Sequence, residues 1–224
     1  MTPIIPGEVL DYYLSLGYYR MNQELFTTRF LPVEGGWHTV HWLRLTVAQL
    51  SWGSRQRQLL RQNARFAVRV RPFQLGSEYE ALYARYYATL AFDAAESLEA
   101  LLLAGSPTTV FDTYTVDVRE GGRLVAAGIF DRGAASLAGI VNFYDPDYQR
   151  FSLGKYLLLQ KAAYAQQQGL TYYYPGYLAH GYAKFDYKVA VCEAATEVFD
   201  CLARQWVPYS GAEVARQSAA LLAE

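Results

Sequence analysis

Residues 141–188 hold the side chains whose types and spacing suit chemistry. An apolar, β-branched and aromatic run ending at Tyr144 meets Asp145-Pro146-Asp147. Proline offers no N–H to a strand ladder and restricts the residue before it, so the run must break there. Ser152 is suited to cap a helix that starts at once. Leu153, Leu157, Lys161, Tyr164 and Ala165 then recur at helical spacing until Gly169. Residues 171–174 read as a buried strand. The first N–H groups of a helix have no internal partner, and its dipole favours negative charge there. Ser152, Leu153, Gly154 and Lys155 stand at that end, where Gly154 leaves the backbone approachable and Lys155 adds a cation. The expected feature is an anion site. The same residues also suit an ordinary capped helix with one surface lysine.

Three pieces occur in order: Asp145-Pro146-Asp147 with Ser152-Leu153-Gly154, then Gly176-Tyr177, then Lys184-Phe185-Asp186-Tyr187-Lys188. Together they resemble the C-terminal domain of the aminoacyl-tRNA–protein transferases, the arginyl- and leucyl-transferases of the N-degron pathway. The resemblance implies a mixed α+β GNAT acyltransferase fold. It implies that Arg or Leu moves from the aminoacyl ester of a tRNA to the α-amine of a protein beginning with Asp or Glu. The partners expected are thus aminoacyl-tRNA and acidic-first acceptor proteins. The ester is already activated, so no cofactor is expected. In such an arrangement the donor lies between splayed strands, with its phosphate end at Ser152, Leu153, Gly154 and Lys155. Tyr177 and Tyr187 are candidates to position the ester or donate to its oxyanion. Asp145 is a candidate partner for the acceptor ammonium, although it also suits a plain turn before proline. Lys184 and Lys188 are candidates to pair with the acidic first side chain or the tRNA backbone, Lys184 before Lys188. His180 is a candidate base or a loop residue.

The start of the chain resembles the same family. Leu14-x-x-Gly17-Tyr18-x-Arg20 followed by Phe26-x-x-Arg29 matches its N-terminal domain, where relatives place cysteines that hold a metal or an iron–sulfur centre. This chain has no cysteine there. His38 and His41 stand three apart in a strand-like run and so point to opposite faces, with Glu34 the one other nearby donor. No metal is expected. The expected organisation is an N-terminal subdomain over residues 1–63 and a GNAT-like domain over 64–224.

Residues 51–75 carry six arginines and no acid. Arg57, Arg61 and Arg65 fall on one face if the helix persists, and Arg55 lies beside them. The resemblance makes Arg55, Arg57 and Arg61 candidates for tRNA phosphates; a solvated helix face has the same pattern. Net charge is −1, so any contact with nucleic acid must be local. Cys192 and Cys201 read as buried thiols. Two cysteines and no signal-peptide pattern point to a cytoplasmic setting. No apolar run approaches a membrane span.

The remaining pattern predicts helices at 8–16, 77–87, 93–103 and 212–222. Ser77 and Asp93 are the expected caps, with Glu80 and Glu96 completing capping boxes. Strands are predicted at 37–45, 66–71, 111–119, 124–130 and 137–144, with a further one within 193–206. From residue 66 the order is strand, two helices, three antiparallel strands, helix, strand, which is the GNAT order. Two other readings remain: a binding protein that keeps the fold without transfer, and an acyl-CoA-dependent enzyme. The acyl-CoA reading is disfavoured because residues 149–155 carry a single glycine of the usual phosphate loop.

Overall fold

The computed structural model describes residues 4–33, 36–90 and 94–224. The chain opens with α1 (Gly7–Ser15), which stops at Gly17 in the left-handed region at φ +78°. A small hairpin, β1 (Tyr19–Met21) and β2 (Glu24–Phe26), precedes β3 (Phe30–Val33) and the long β4 (Gly36–Thr46). Next come α2 (Ser54–Gln62), β5 (Ala67–Pro72), α3 (Ser77–Tyr87) and α4 (Leu98–Leu102). Three antiparallel strands follow: β6 (Thr113–Glu120), β7 (Arg123–Arg132) and β8 (Ser136–Tyr144). The chain then forms α5 (Leu153–Gln167), β9 (Tyr172–Ala179), β10 (Thr196–Asp200), β11 (Gln205–Pro208) and α6 (Gly211–Leu222). Mixed α+β architecture is therefore observed, with the expected order of strand, two helices, three strands, helix and strand from Ala67 onward.

One nine-stranded sheet holds the molecule together, in the order β11-β10-β4-β9-β8-β7-β6-β5, with β3 on β4. β4 lies between β9 and β10, so residues 36–46 sit inside the sheet built by residues 64–224. β8 and β9 are the one parallel pair among the described strands, and α5 is their crossover. Their pairing runs only from Ser136 to Ala138 against Tyr172 to Tyr174. Beyond that the strands part. β8 stays with β7 through a bulge between Ile129 and Phe130, while β9 stays with β4. An extra residue bends the strand that carries it, which opens the sheet here.

The two faces are covered differently. α5 packs Leu153, Leu157, Leu158 and Ala162 with Val116, Val118, Ala126 and Phe130. α3 and α4 cover the other face, with Tyr79, Leu82, Tyr83 and Leu98 on Ala127, Ile129 and Phe143. Alternation along β6 and β7 supplies both sets. α5 also touches α2 and the 3-10 segment Ala183–Val191, so it is buried around much of its circumference.

Local details differ from expectation where distant residues intervene. Ser77 is not a cap: Gly76 holds that position, and no side chain caps α3. Glu80 instead accepts the N–H groups of Leu98 and Glu99, so its carboxylate caps α4 across a loop. Ser97 completes that cap by accepting the Ala100 N–H, and α4 is correspondingly short. Asp93, the expected cap, lies outside the described residues. α2 ends at Gln62, so Arg65 leaves the helix face and pairs with Glu120 at 2.5 Å. Two short strands, β10 and β11, occupy 193–206 and just beyond. No helix among the described residues is long and apolar enough to cross a membrane.

Candidate active site in the cleft between β8 and β9

The parting of β8 and β9 opens two cavities that share a wall of Tyr86, Leu90, Asn142, Phe185 and Tyr187. The outer cavity, about 680 Å³, runs past Tyr144, Pro146, Gln149, Ser152, Gly154, Lys155 and Lys184. The inner cavity, about 480 Å³, reaches Trp42, Ile140, Lys161, Gly176, Tyr177 and Lys188. Ser152, Gly154, Lys155, Tyr177, Tyr187, Lys184 and Lys188 are thus brought to one cleft by three separate elements.

The outer end is set by the turn after β8. Asp145 is buried, accepts the Asp147 N–H at 3.1 Å, and pairs with Arg85 at 2.7 Å and with Arg123. Both of its oxygens are engaged by guanidinium groups, which pins the turn to α3 and β7. Ser152 does not cap α5 through its side chain, contrary to expectation, because it sits in the left-handed region (φ 50°, ψ 46°). Its carbonyl accepts the Tyr156 N–H at 3.0 Å. A non-glycine residue held there costs about 1–3 kcal/mol, a strain that surrounding structure must impose. Leu153 points into the core, so only its backbone faces the helix end. Lys155 is exposed beside the outer cavity.

A Cβ placed on Gly154 would lie 3.5 Å from the Tyr144 ring, an ordinary contact. Space for alanine exists, and alanine favours a helix over glycine by about 1 kcal/mol. Gly154→Ala is therefore expected to hold or raise the thermal midpoint while weakening the binding of any anion drawn to the helix end. Equal affinity for tRNA in the variant and the wild type would show that no ligand approaches that backbone.

The 3-10 segment Ala183–Val191 packs against β9 and α5 and closes the inner cavity. Lys188 is buried, donates to the Tyr177 carbonyl at 2.7 Å, and lies over the Phe185 and Tyr177 rings at 4.5 and 4.8 Å. Burial lowers it from 10.5 to about 7. Burial also raises the Tyr177 and Tyr187 hydroxyls, which keeps both protonated and able to donate. Tyr177 is held edge-on against Trp42 of β4, ring centres 5.1 Å apart. Lys184 is exposed at the rim of the outer cavity. His180 is exposed and lines neither cavity.

The helical repeat marks Lys161 only as a core-facing position. It is a fully buried member of the inner cavity, donating to the Ile129 carbonyl at 2.7 Å. Burial lowers it to about 7, opposed by Asp131. A lysine at a helical core position was the available signal.

Arg55, Arg57 and Arg61 are exposed on α2. The helix is tied to two other segments: Gln56 donates to the Ala190 carbonyl at 2.7 Å and Gln62 to the Arg150 carbonyl at 3.1 Å. Asn63 adds a bond to the Phe151 carbonyl at 3.1 Å. Among the described residues no carboxylate pairs with Arg55, Arg57 or Arg61, whereas Arg71 is paired with Asp117. His38 and His41, the candidate metal donors, have other neighbours. His38 Nδ1 lies against the His180 carbonyl, while His41 is buried with Gln217 and Ser218. Among the described residues no three His, Cys, Asp or Glu side chains converge, and Glu34 lies outside them. Cys192 is buried and Cys201 half-buried, both as free thiols.

Residues 78–194 match the family described as arginine-tRNA-protein transferase, C terminus. An aspartate/glutamate leucyltransferase of Hahella chejuensis is 29% identical over 152 residues, covering 65% of this chain and 63% of that protein. One from Leptospira interrogans is 26% identical over 189 residues, covering 82% of this chain and 72% of that protein. Arginyl-tRNA--protein transferase 1 of Arabidopsis thaliana is 37% identical over 115 residues, covering 49% of this chain and 17% of that protein. The family match takes in β6 to β9, the turn at Asp145, the start of α5 and both lysines of the 3-10 segment. By that match, which spans just over half of its residues, the chain belongs to the arginine-tRNA–protein transferase family, through the C-terminal part of that family.

Proposed function

We propose that this chain transfers an aminoacyl group, leucyl or arginyl, from tRNA to the α-amine of proteins whose first residue is Asp or Glu. The observation that carries this reading is the pair of joined cavities, one at a helix N-terminus and one walled by buried lysines, meeting at Asn142 and Tyr187. The tRNA 3′ end enters the outer cavity, with its phosphates toward the first turn of α5 and Lys155. The acceptor enters the inner one. Its neutral amine attacks the ester carbonyl at the neck. A C–N bond forms, the bond to the ribose oxygen breaks, and the amine proton leaves as the ribose hydroxyl is restored. Tyr177 and Tyr187, kept protonated, are placed to donate to the oxyanion. Asp145 acts by holding the turn through Arg85 and Arg123. Much of the rate comes from holding two large substrates in register. The setting proposed is the cytoplasm, where charged tRNA is available, and the products would enter the N-degron pathway.

The deciding experiment incubates the chain with a mixed pool of charged tRNAs and an Asp-initiated reporter, then weighs the reporter's N-terminus. One added leucyl or arginyl residue is expected. Binding of tRNA without any transfer would instead support a non-catalytic relative.

The exposed arginines of α2, a helix tied to the 3-10 segment and to the turn before α5, are proposed to meet tRNA phosphates. Arg57→Ala with Arg61→Ala should weaken tRNA binding and lower the slope of log affinity against log salt by roughly one to two units. An unchanged slope would mean that this face is merely solvated.

A further inference from the structure

The inner cavity contains two lysines that packing alone does not explain. Lys161 comes from α5 and is 1% exposed; Lys188 comes from the 3-10 segment and is 9% exposed. A lysine on a packed helix ordinarily runs its stem along the surface and keeps the ammonium in water. Neither does so here. No carboxylate lines the cavity among the described residues, and Asp131, beneath Lys161, is already paired with Arg20. A methionine would fill either space without burying a charge.

The strands make room for both side chains. A Cβ on Gly128 of β7 would come within 2.9 Å of the Lys161 Cε and 2.8 Å of the Asn142 Oδ1. Gly176 of β9, at φ +108°, opens the backbone beside Lys188, where a Cβ would lie 3.5 Å from Nζ. An ammonium has three donors. Lys161 uses one on the Ile129 carbonyl at 2.7 Å and a longer one on the Val141 carbonyl at 3.4 Å; Lys188 uses one on the Tyr177 carbonyl. Each keeps at least one N–H for a ligand. A buried cation for which Gly128 leaves room, with no carboxylate on the cavity wall among the described residues, describes a carboxylate site.

We propose that the inner cavity seats the first side chain of the acceptor, and that Lys161 binds its carboxylate. This rests on the transferase reading and names a residue that selects the acceptor. Lys161 is then a specificity-determining residue. Asp131 of β7 acts on Lys161, and the other charged or titratable groups lining the same cavity are Lys188, Arg20, Tyr19, Tyr83, Tyr86, Tyr177 and Tyr187. Since burial lowers Lys161 to about 7, carboxylate binding near neutral pH favours its charged form and takes up protons.

The test uses two peptides that differ only in an Asp or Asn first residue, titrated calorimetrically into the full chain. The wild type should prefer the Asp peptide by roughly ten- to a hundred-fold, the range of a charge-assisted contact. Proton uptake should appear when the titration is repeated in buffers of different ionisation heat. In Lys161→Met, and in Lys161→Gln as the second variant, the Asp-over-Asn ratio should fall toward one, with folding checked by thermal midpoint. A wild type without preference, or a folded Lys161 variant that keeps it, overturns the proposal. If Lys161 instead governs which charged tRNA is bound, it reads the donor's side chain and the proposal also fails. Lys161-dependent preference without any transfer leaves the carboxylate site standing and removes the transferase reading.

Discussion

Replacing Asp131 by alanine is expected to destabilise the fold by about 3–5 kcal/mol. Asp131 and Arg20 are both fully buried, with Nη1 and Oδ1 2.9 Å apart. Arg20 also donates to Thr113 Oγ1 at 3.0 Å, to the Leu102 carbonyl at 2.6 Å and to the Asn22 carbonyl at 2.6 Å. Burial lowers the Arg20 pKa and raises that of Asp131, each partly offset by the other's charge. Desolvation is the larger influence on both, so the pair is costly to bury and far costlier to break. The alanine variant leaves a guanidinium in the interior with no counter-ion. At roughly 2–4 °C per kcal/mol for a chain of this size, the midpoint should fall by about 6–20 °C. Replacing both partners, Arg20→Met with Asp131→Leu, should recover most of the loss, because no charge then stays buried. A fall below about 1 kcal/mol in urea melts of the single variant would refute this account. Arg20 also lines the inner cavity, so the same bridge couples the N-terminal residues to the site.

Thermal stability should rise as pH increases from about 7 towards 10. Lys161 and Lys188 are lowered by burial from 10.5 to about 7. Below pH 7 both are charged in the folded and the unfolded chain, and the folded chain carries the full desolvation penalty. Between about 7 and 10 the folded lysines are neutral while the unfolded ones still hold protons. The unfolded state then binds more protons, and stability climbs with pH. Each pKa unit corresponds to about 1.4 kcal/mol, so the rise is on the order of a few kcal/mol per lysine. The buried tyrosines oppose it above pH 10, since Tyr86 and Tyr174 are raised to about 12 and favour the protonated fold less as unfolded phenols ionise. Lys161→Met and Lys188→Met should each raise the midpoint at pH 7 and flatten its rise towards pH 10. A wild-type midpoint that is level or falling over that interval would show that both ammonium groups are hydrated in the fold.

Much of the cleft's frame was legible from sequence. Asp145-Pro146-Asp147 ends β8, the spacing from Leu153 to Ala165 makes α5, and Gly121-Gly122 turns β6 into β7, all through effects of nearest neighbours. Those effects act within a few residues and leave a period of two or of three to four in the apolar pattern. The roles of single polar side chains were less legible. Glu80 reads as half of a capping box and instead caps α4. Ser152 reads as a cap and instead takes a left-handed conformation. Asp145 reads either as a partner for an ammonium or as a plain turn residue before proline, and nothing in the pattern records that it is buried under two arginines.

The sequence by itself determined the family and the order of elements from residue 66 to the strand after α5, and it marked the stretch from Tyr144 to Lys188 as the candidate place of chemistry, because each is written in contiguous residues. Tertiary structure alone decided that β4 enters the sheet between β9 and β10, that β8 and β9 part after three paired positions, and that Lys161 is buried with Lys188 in one cavity. Whether a lysine is a solvated surface group or a buried cation depends on the dielectric around it. That environment is built by β7, β8, β9 and the 3-10 segment, elements far apart along the chain, and no local pattern records it.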